Sequence, residues 1–290
     1  MSARSYLYVP GDRQDLLARA AGRGADALIV DLEDGVAASA KQAARGVVAR
    51  WLESQATGAP VEIWVRVNPL SSGAGTVTAQ DLKVAVAPGV TGICLAKCQG
   101  AAEIEHFADL VDEAEARAGL KAGALRLSAI LESAQGWLDA PHVAQARRVD
   151  RLQIGEADLL AELGMTPGPD EAELVALRTQ VVVASAAARI EAPIGPVSTN
   201  FRDPAGFRTT TTRLRRLGFG GRATIHPAQV PIVNEIFTPS QAEVDSARAI
   251  IERFEAATSE GTGVIVAAGG DMVDEAVVRA ARRILGLVHP

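Results

Sequence analysis

Eight short apolar runs, each closed by polar residues and followed by a helical or loop-like stretch, recur roughly every 30 residues on average, the period of a βα unit. They span Ser5–Pro10, Ala27–Glu33, Glu62–Asn68, Gly92–Cys98, Arg126–Ser133, Arg151–Leu159, Ala192–Val197 and Gly221–Pro227. Strands alternating with helices in this way predict an α/β fold, a (β/α)8 TIM barrel. A doubly wound sheet would use fewer units and a Gly-rich first turn, and no Gly-x-Gly-x-x-Gly follows the first run.

Between the runs, the pattern predicts helices over Gln14–Arg23, Ser39–Ser54, Ala101–Ala118 and Asp170–Arg189, with a helical segment around Ala140–Arg147. The Ser/Gly-rich residues after Asn68-Pro69 read as a mobile loop, and Arg202–Arg216 as a basic, Thr-rich segment. Residues 1–238 suffice for the barrel. The remainder, 239–290, holds two helices around a Gly-rich stretch, a candidate lid or oligomer arm.

A formal charge of −6 argues against a nucleic-acid or anionic-membrane surface and favours small-molecule chemistry. Cys94 and Cys98 have neither redox nor zinc spacing and read as core residues of a reducing compartment. No signal-peptide core and no apolar run of ~18 residues is present, so a cytoplasmic location is expected.

Active sites of such barrels lie at the carboxyl ends of the strands. Those ends carry Asp31, Glu33 and Asp34; Arg66 and Asn68; Lys97; Glu132; Glu156 and Asp158; and His226. Glu132 and Asp158 each close an apolar run, where an unpaired buried carboxylate is costly. A hard divalent cation bound by both, with positions left for substrate and water, would answer that cost. Pairing with arginine, or capping of the following helix, would answer it as well. Mg²⁺ suits these oxygen ligands better than zinc, which would want His or Cys.

The fork of Arg66 matches a substrate carboxylate, although it would equally neutralise Glu33 or Asp34. Lys97 admits a Schiff-base reading, but among so many acids its ammonium is expected to stay charged and ion-paired. His226 is a base, a ligand or a structural hydrogen bonder. No Ser or Cys nucleophile stands at recognisable spacing from a base.

Taken together, Arg4-Ser-Tyr-Leu-Tyr-Val-Pro-Gly-Asp-Arg13, Val30-Asp-Leu-Glu-Asp-Gly-Val36, Arg66-Val-Asn68, Leu131-Glu-Ser-Ala-Gln-Gly136, Gly155 to Leu159, Ile225-His-Pro-Ala-Gln-Val230 and Met272-Val-Asp274 resemble the citrate lyase β-subunit-like group of the HpcH/HpaI aldolase superfamily. The resemblance runs in order over nearly the whole chain. It implies a TIM barrel, trimeric or a dimer of trimers, that uses Mg²⁺ to cleave or form a carbon–carbon bond between a 2-oxo acid and an acyl thioester of coenzyme A or of a carrier.

Carried over by residue, the resemblance makes Glu132 and Asp158 the metal ligands, with Glu132 also at the substrate, and Arg66 the holder of the oxo-acid carboxylate. Glu33 and Asp34 become acids that orient metal-bound water. Asp274 becomes the acid/base at the thioester α-carbon, reaching in from a neighbouring copy. Departures from the group's pattern include Gly155-Glu-Ala-Asp158 where Gly-x-Glu-Asp is usual, Ala96 for Pro, Arg222 for Lys, Ile194 for Asp and Gly269-Gly-Asp-Met-Val-Asp274. None removes the metal pair, Arg66 or Asp274. The expected activity is therefore a lyase acting on a 3-hydroxyacyl-CoA dicarboxylate of malyl-CoA, citramalyl-CoA or citryl-thioester type. A class II aldolase working without coenzyme A, or a barrel that binds oxo acids without turnover, are the alternatives.

Overall fold

The computed structural model describes residues 3–55, 61–70, 75–259, 265–266 and 272–288. The chain begins β1 (Ser5–Pro10), α1 (Gln14–Ala20), β2 (Ala27–Asp31), α2 (Lys41–Gln55), β3 (Glu62–Val67), α3 (Gly75–Ala85), β4 (Gly92–Leu95) and α4 (Ala101–Ala118). It continues β5 (Arg126–Leu131), α5 (Ala134–Leu138), α6 (Ala140–Gln145), β6 (Val149–Ile154), α7 (Glu156–Leu163), α8 (Val175–Ala188), β7 (Ile194–Gly195), α9 (Pro204–Leu217), β8 (Gly221–Thr224) and α10 (Val230–Phe237). Then follow α11 (Gln241–Ser259), β9 (Ile265–Val266), β10 (Met272–Val273) and α12 (Glu275–Gly286).

Strands β1 to β8 close into a parallel barrel in sequence order, with β8 returning to β1. The expected (β/α)8 fold is the one observed. Side chains alternate between the two faces of each strand, so one set fills the barrel and the other backs the helices. Tyr6, Ala27, Ile29, Trp64, Cys94, Ile130, Ile194 and Ala223 form the inner core. Near the amino ends of the strands Trp64 lies between Arg126, 5.3 Å from its ring centre, and Arg151, at 5.1 Å. Arg151 also donates to the Tyr6 hydroxyl, so stacked rings and guanidinium groups fill the barrel at this level. Both cysteines are free and buried.

Several strands stop earlier than the sequence suggested. β2 ends at Asp31, β4 at Leu95, β5 at Leu131 and β6 at Ile154, so Glu33, Lys97, Glu132 and Asp158 all lie in the turns beyond. Asp158 belongs to the first turn of α7, correcting its placement at the end of a strand. Helix α3 was not anticipated, because its Thr-Val-Thr start is β-branched and disfavours helix. Tertiary bonds overrule that preference. Asp81 of α3 is buried and accepts from Arg45 at 2.7 Å and from the Asn68 side chain at 2.6 Å. Residues 71–74 of the expected mobile loop lie outside the described residues. The Thr-rich basic segment folds as α9, its hydroxyls turned back on the helix, as in Thr211 to the Phe207 carbonyl at 2.6 Å.

Residues 3–234 form one compact unit, and the residues from 235 onward form another. Within the second, Phe254 of α11, Val273 of β10 and Val278 of α12 form a small core, and β9 pairs antiparallel with β10. Among the described residues no helix is long and apolar enough to cross a membrane.

Candidate active site

Adjacent strands β2 and β3 place Asp31 beside Arg66 in register. Both side chains point into the barrel mouth, where they form a bidentate pair, Nε to Oδ1 at 2.7 Å and Nη2 to Oδ2 at 2.6 Å. Asp31 also accepts from the Glu33 and Gly35 amides, at 2.9 and 2.8 Å. Four donors therefore hold a carboxylate that is 3% exposed. Arg66 Nη1 lies 3.1 Å from Glu33, and its guanidinium sits 5.0 Å from the Tyr8 ring centre. The neutralising partners of Arg66 are thus Asp31 and Glu33, and not Asp34.

Lys97 is the residue whose place the sequence least conveyed. Strand parity turned it away from Cys94, but β4 ends at Leu95 and Lys97 takes a left-handed φ of 52°. That turn brings Nζ to 2.7 Å from Glu33, 2.9 Å from Asp34 and 4.0 Å from Asp158. Burial disfavours its charge, yet the two carboxylates hold the ammonium above its ordinary pKa, as expected for an ion-paired lysine. Burial pushes the Glu33 carboxyl upward against the pull of Arg66 and Lys97. Asp34 is held below its usual range despite its own burial, chiefly by Lys97 and by its contact with Glu33.

The backbone N–H of Lys97 donates to Glu132 Oε1 at 2.6 Å. Glu132 is 6% exposed, and burial pushes its pKa up to about 7, with Glu33 and Asp158 adding to the rise against Lys97 and Arg66. Its other oxygen rests against Gly155, where a Cβ would lie 2.5 Å from Oε2. Among the described residues neither Glu132 nor Asp158 takes an arginine, and Asp158 caps no helix. The connected cluster holds five carboxylates, Asp31, Glu33, Asp34, Glu132 and Asp158, against two cations, Arg66 and Lys97.

This donor set fits a divalent cation. Among the described residues no three acid, His or Cys side chains form a ready-made cage. Mg²⁺ is content with one or two protein carboxylates plus water and substrate oxygens. The excess negative charge favours a cation beside Glu132, whose carboxylate uses the room left by the missing side chain of Gly155.

Asp31, Asp34, Arg66, Glu132 and Asp158 line one cavity of about 840 Å³. Its lining also includes Gln153, whose amide donates to the Tyr8 hydroxyl at 2.8 Å, and Arg222. Glu156 points instead to Arg178, at 2.6 and 2.9 Å, and Asn68 is a buried brace to Asp81. His226 is exposed, stacks on Phe201 at 4.9 Å and accepts the Ala228 amide, which makes it the cap of a short helical turn. In the second unit Asp274 caps α12, accepting from the Ala276 and Val277 amides at 2.9 and 3.1 Å. The sequence gives no role at the site to Asp31, Gln153 or Arg222, and for Lys97 it leaves only the choice between a Schiff base and an ion-paired ammonium. Strand parity was the available signal for Asp31, whereas the other three depend on turns and side-chain partners.

The HpcH/HpaI aldolase/citrate lyase family model matches residues 4–227. The chain belongs to the HpcH/HpaI aldolase/citrate lyase family. This family member is 32% identical over 287 residues to the citrate lyase subunit beta of Leuconostoc mesenteroides subsp. cremoris, covering 99% of this chain and 93% of that one. It is 36% identical over 282 residues to a (3S)-malyl-CoA thioesterase of Cereibacter sphaeroides, covering 97% and 93%. Among solved structures, the protein CitE from Mycobacterium tuberculosis, in complex with magnesium, acetoacetate and coenzyme A, aligns with a TM-score of 0.76 at 27% identity, over 99% of this chain and 98% of that one.

Proposed function

We propose that this family member is a Mg²⁺-dependent carbon–carbon lyase of the cytoplasm that cleaves or forms a 3-hydroxyacyl-CoA dicarboxylate from a 2-oxo acid and an acyl thioester. The observation that carries the reading is the Glu132–Asp158 pair beside Arg66 in one cavity. Citrate lyase and malyl-CoA relatives, together with a neighbour holding magnesium, acetoacetate and coenzyme A, support it.

Glu132 and Asp158 would hold the metal. When bound, Mg²⁺ would supply Lewis-acid polarisation of the oxo group. Arg66, fixed by Asp31 and Glu33, presents its outer N–H groups to the oxo-acid carboxylate. Glu33 and Asp34, held by Lys97, would orient water beside the cation, and in the cleavage direction the 3-hydroxyl proton passes to Glu33, whose carboxyl burial pushes upward. The C2–C3 bond then breaks to release the oxo acid and the enolate of the acyl thioester. Asp274 of a neighbouring copy in a trimer or hexamer returns a proton to the enolate α-carbon, and removes it in the condensation direction.

A calorimetric titration tests the reading, with oxaloacetate, pyruvate and glyoxylate, with and without Mg²⁺, repeated with acetyl-CoA or propionyl-CoA. Mg²⁺-dependent binding that tightens with an acyl-CoA is expected, and should be lost in Glu132→Gln and Asp158→Asn. Asp274→Asn should keep that binding and lose turnover. Binding indifferent to acyl-CoA would favour an aldolase on free hydroxy-oxo acids. Indifference of every property to Asp274→Asn would favour a binding protein.

The 36% identity to a malyl-CoA thioesterase supports a second reading, in which water attacks the thioester carbonyl. Product analysis on malyl-CoA separates the two. Glyoxylate and acetyl-CoA mean a lyase, and malate with free coenzyme A means a hydrolase.

A further inference from the structure

Arg222 is 3% exposed and belongs to β8, where its neighbour Ala223 fills the barrel core and Arg222 turns outward toward α9. It donates from Nε to the Pro196 carbonyl at 3.0 Å. From Nη1 it donates to the Phe207 carbonyl at 3.3 Å and to the hydroxyls of Thr210 and Thr211 at 2.8 and 2.6 Å. Its guanidinium carbon lies 4.2 Å from the Phe207 ring centre. Every one of these partners is neutral.

The other buried arginines each have a carboxylate: Arg45 has Asp81 at 2.7 Å, Arg151 has Asp150 at 2.7 Å and Arg178 has Glu156 at 2.6 Å. Among the described residues Arg222 has none within 4.0 Å. The nearest acids, Glu156 and Glu171, are committed to Arg178, and Glu171 also to Arg213. Burial, with the like charge of Arg178, pulls its pKa down to about 10, which still leaves it a cation at neutral pH. A buried cation without a counter-charge is unfavourable unless an anion arrives to meet it.

The same residue lines the cavity that holds Glu132 and Asp158. Its Nε partner, Pro196, opens the loop after β7, and the loops after strands seven and eight are where barrels of this class commonly place a phosphate site. That cavity, at about 840 Å³, is also far larger than a three-carbon oxo acid needs.

We propose that Arg222 is the head of an oxyanion subsite of this cavity, which takes either the second carboxylate of an oxo diacid or a phosphoryl group of the thioester carrier. The assignment rests on the lyase reading for its ligands, and on the unpaired buried guanidinium for its place.

The test uses the full-length protein with Mg²⁺ and the variants Arg222→Gln and Arg222→Lys, each first shown to melt cooperatively. Affinities are compared for oxaloacetate against pyruvate, and for acetyl-CoA against acetyl-pantetheine. One of these ratios should fall about tenfold in Arg222→Gln and stay within roughly threefold of wild type in Arg222→Lys, which keeps the charge. Loss of the first ratio names a carboxylate, and loss of the second names a phosphate. A brace to Pro196 and Thr211 needs the guanidinium fork, so it would fail alike in both variants and leave both ratios unchanged. That outcome overturns the proposal, as does wild-type protein with no preference in either pair. Wild-type protein that binds no oxo acid at all overturns the lyase reading instead. Metal-free sulfate then judges the subsite: protection of wild type but not of Arg222→Gln against melting supports it, and equal protection or none removes it.

Discussion

The carboxylate of Glu132 occupies the space that a side chain on Gly155 would need. A Cβ at position 155 would lie 2.5 Å from Glu132 Oε2 and 2.6 Å from its Cβ, and the second contact is one no rotamer change relieves. Gly155→Ala should therefore displace Glu132, at a cost of about 1–3 kcal/mol in the metal-free protein. Mg²⁺-dependent oxo-acid binding should weaken by at least about tenfold. Calorimetry, with a urea melt as control, checks both. An unchanged affinity would mean that Glu132 does not hold the metal.

Burial gives Glu132 a pKa of about 7 in the folded chain, above its ordinary value of 4.5. The folded state then binds the extra proton between those values, so stability is highest at the acid end and falls as pH rises toward 7. Above that the loss is complete. In chelator, urea melts of wild type should lose stability across this window relative to Glu132→Gln, by an amount on the order of 3 kcal/mol. Parallel pH curves for the two proteins would show that the carboxyl titrates normally.

Asp31 accepts four hydrogen bonds and donates none. Asn in its place keeps the shape but turns an N–H₂ toward two donors and leaves Arg66 with Glu33 as its acid. A loss of roughly 3–5 kcal/mol in folding stability is expected from breaking a buried pair. The affinity for the oxo acid should fall as well, because Arg66 is no longer held. An Asp31→Asn protein as stable as wild type would contradict the assignment of this pair as the frame of the site.

Lys97 is bonded to two carboxylates and is held protonated by them. Borohydride added with pyruvate should leave it unlabelled, because a Schiff base needs the free amine. Mass spectrometry decides the matter, and a reduced pyruvyl adduct at position 97 would replace metal catalysis with imine chemistry.

The barrel was legible because its strands are buried on both faces and read as continuous apolar runs, as in Ala27-Leu-Ile-Val. Parity also placed Asp31 and Arg66 each on the face shared with core residues of its own strand. What escaped the pattern was set by turns and by partners distant in sequence. Asp158 reads as a strand end because Leu159 and Leu160 resume the apolar character of Leu152-Gln-Ile154 beyond Gly155, whereas Glu156-Ala-Asp-Leu-Leu-Ala-Glu-Leu163 is the better helix former. Helix α3 was hidden by its β-branched start. The surroundings of Arg222 could not be read at all, because two of its four partners are main-chain carbonyls, which leave no trace in composition.

The left-handed turn at Lys97 splits one residue into two separately mutable parts. Its amide serves Glu132, while its side chain serves Glu33 and Asp34. Glycine adopts that backbone angle at no steric cost. Lys97→Ala, which keeps the Cβ that the lysine already places at a φ of 52°, would accordingly erase the ammonium and spare the amide, whereas Lys97→Gly would relax the turn as well. Position 97 thus separates the charge of the mouth from the amide that positions Glu132.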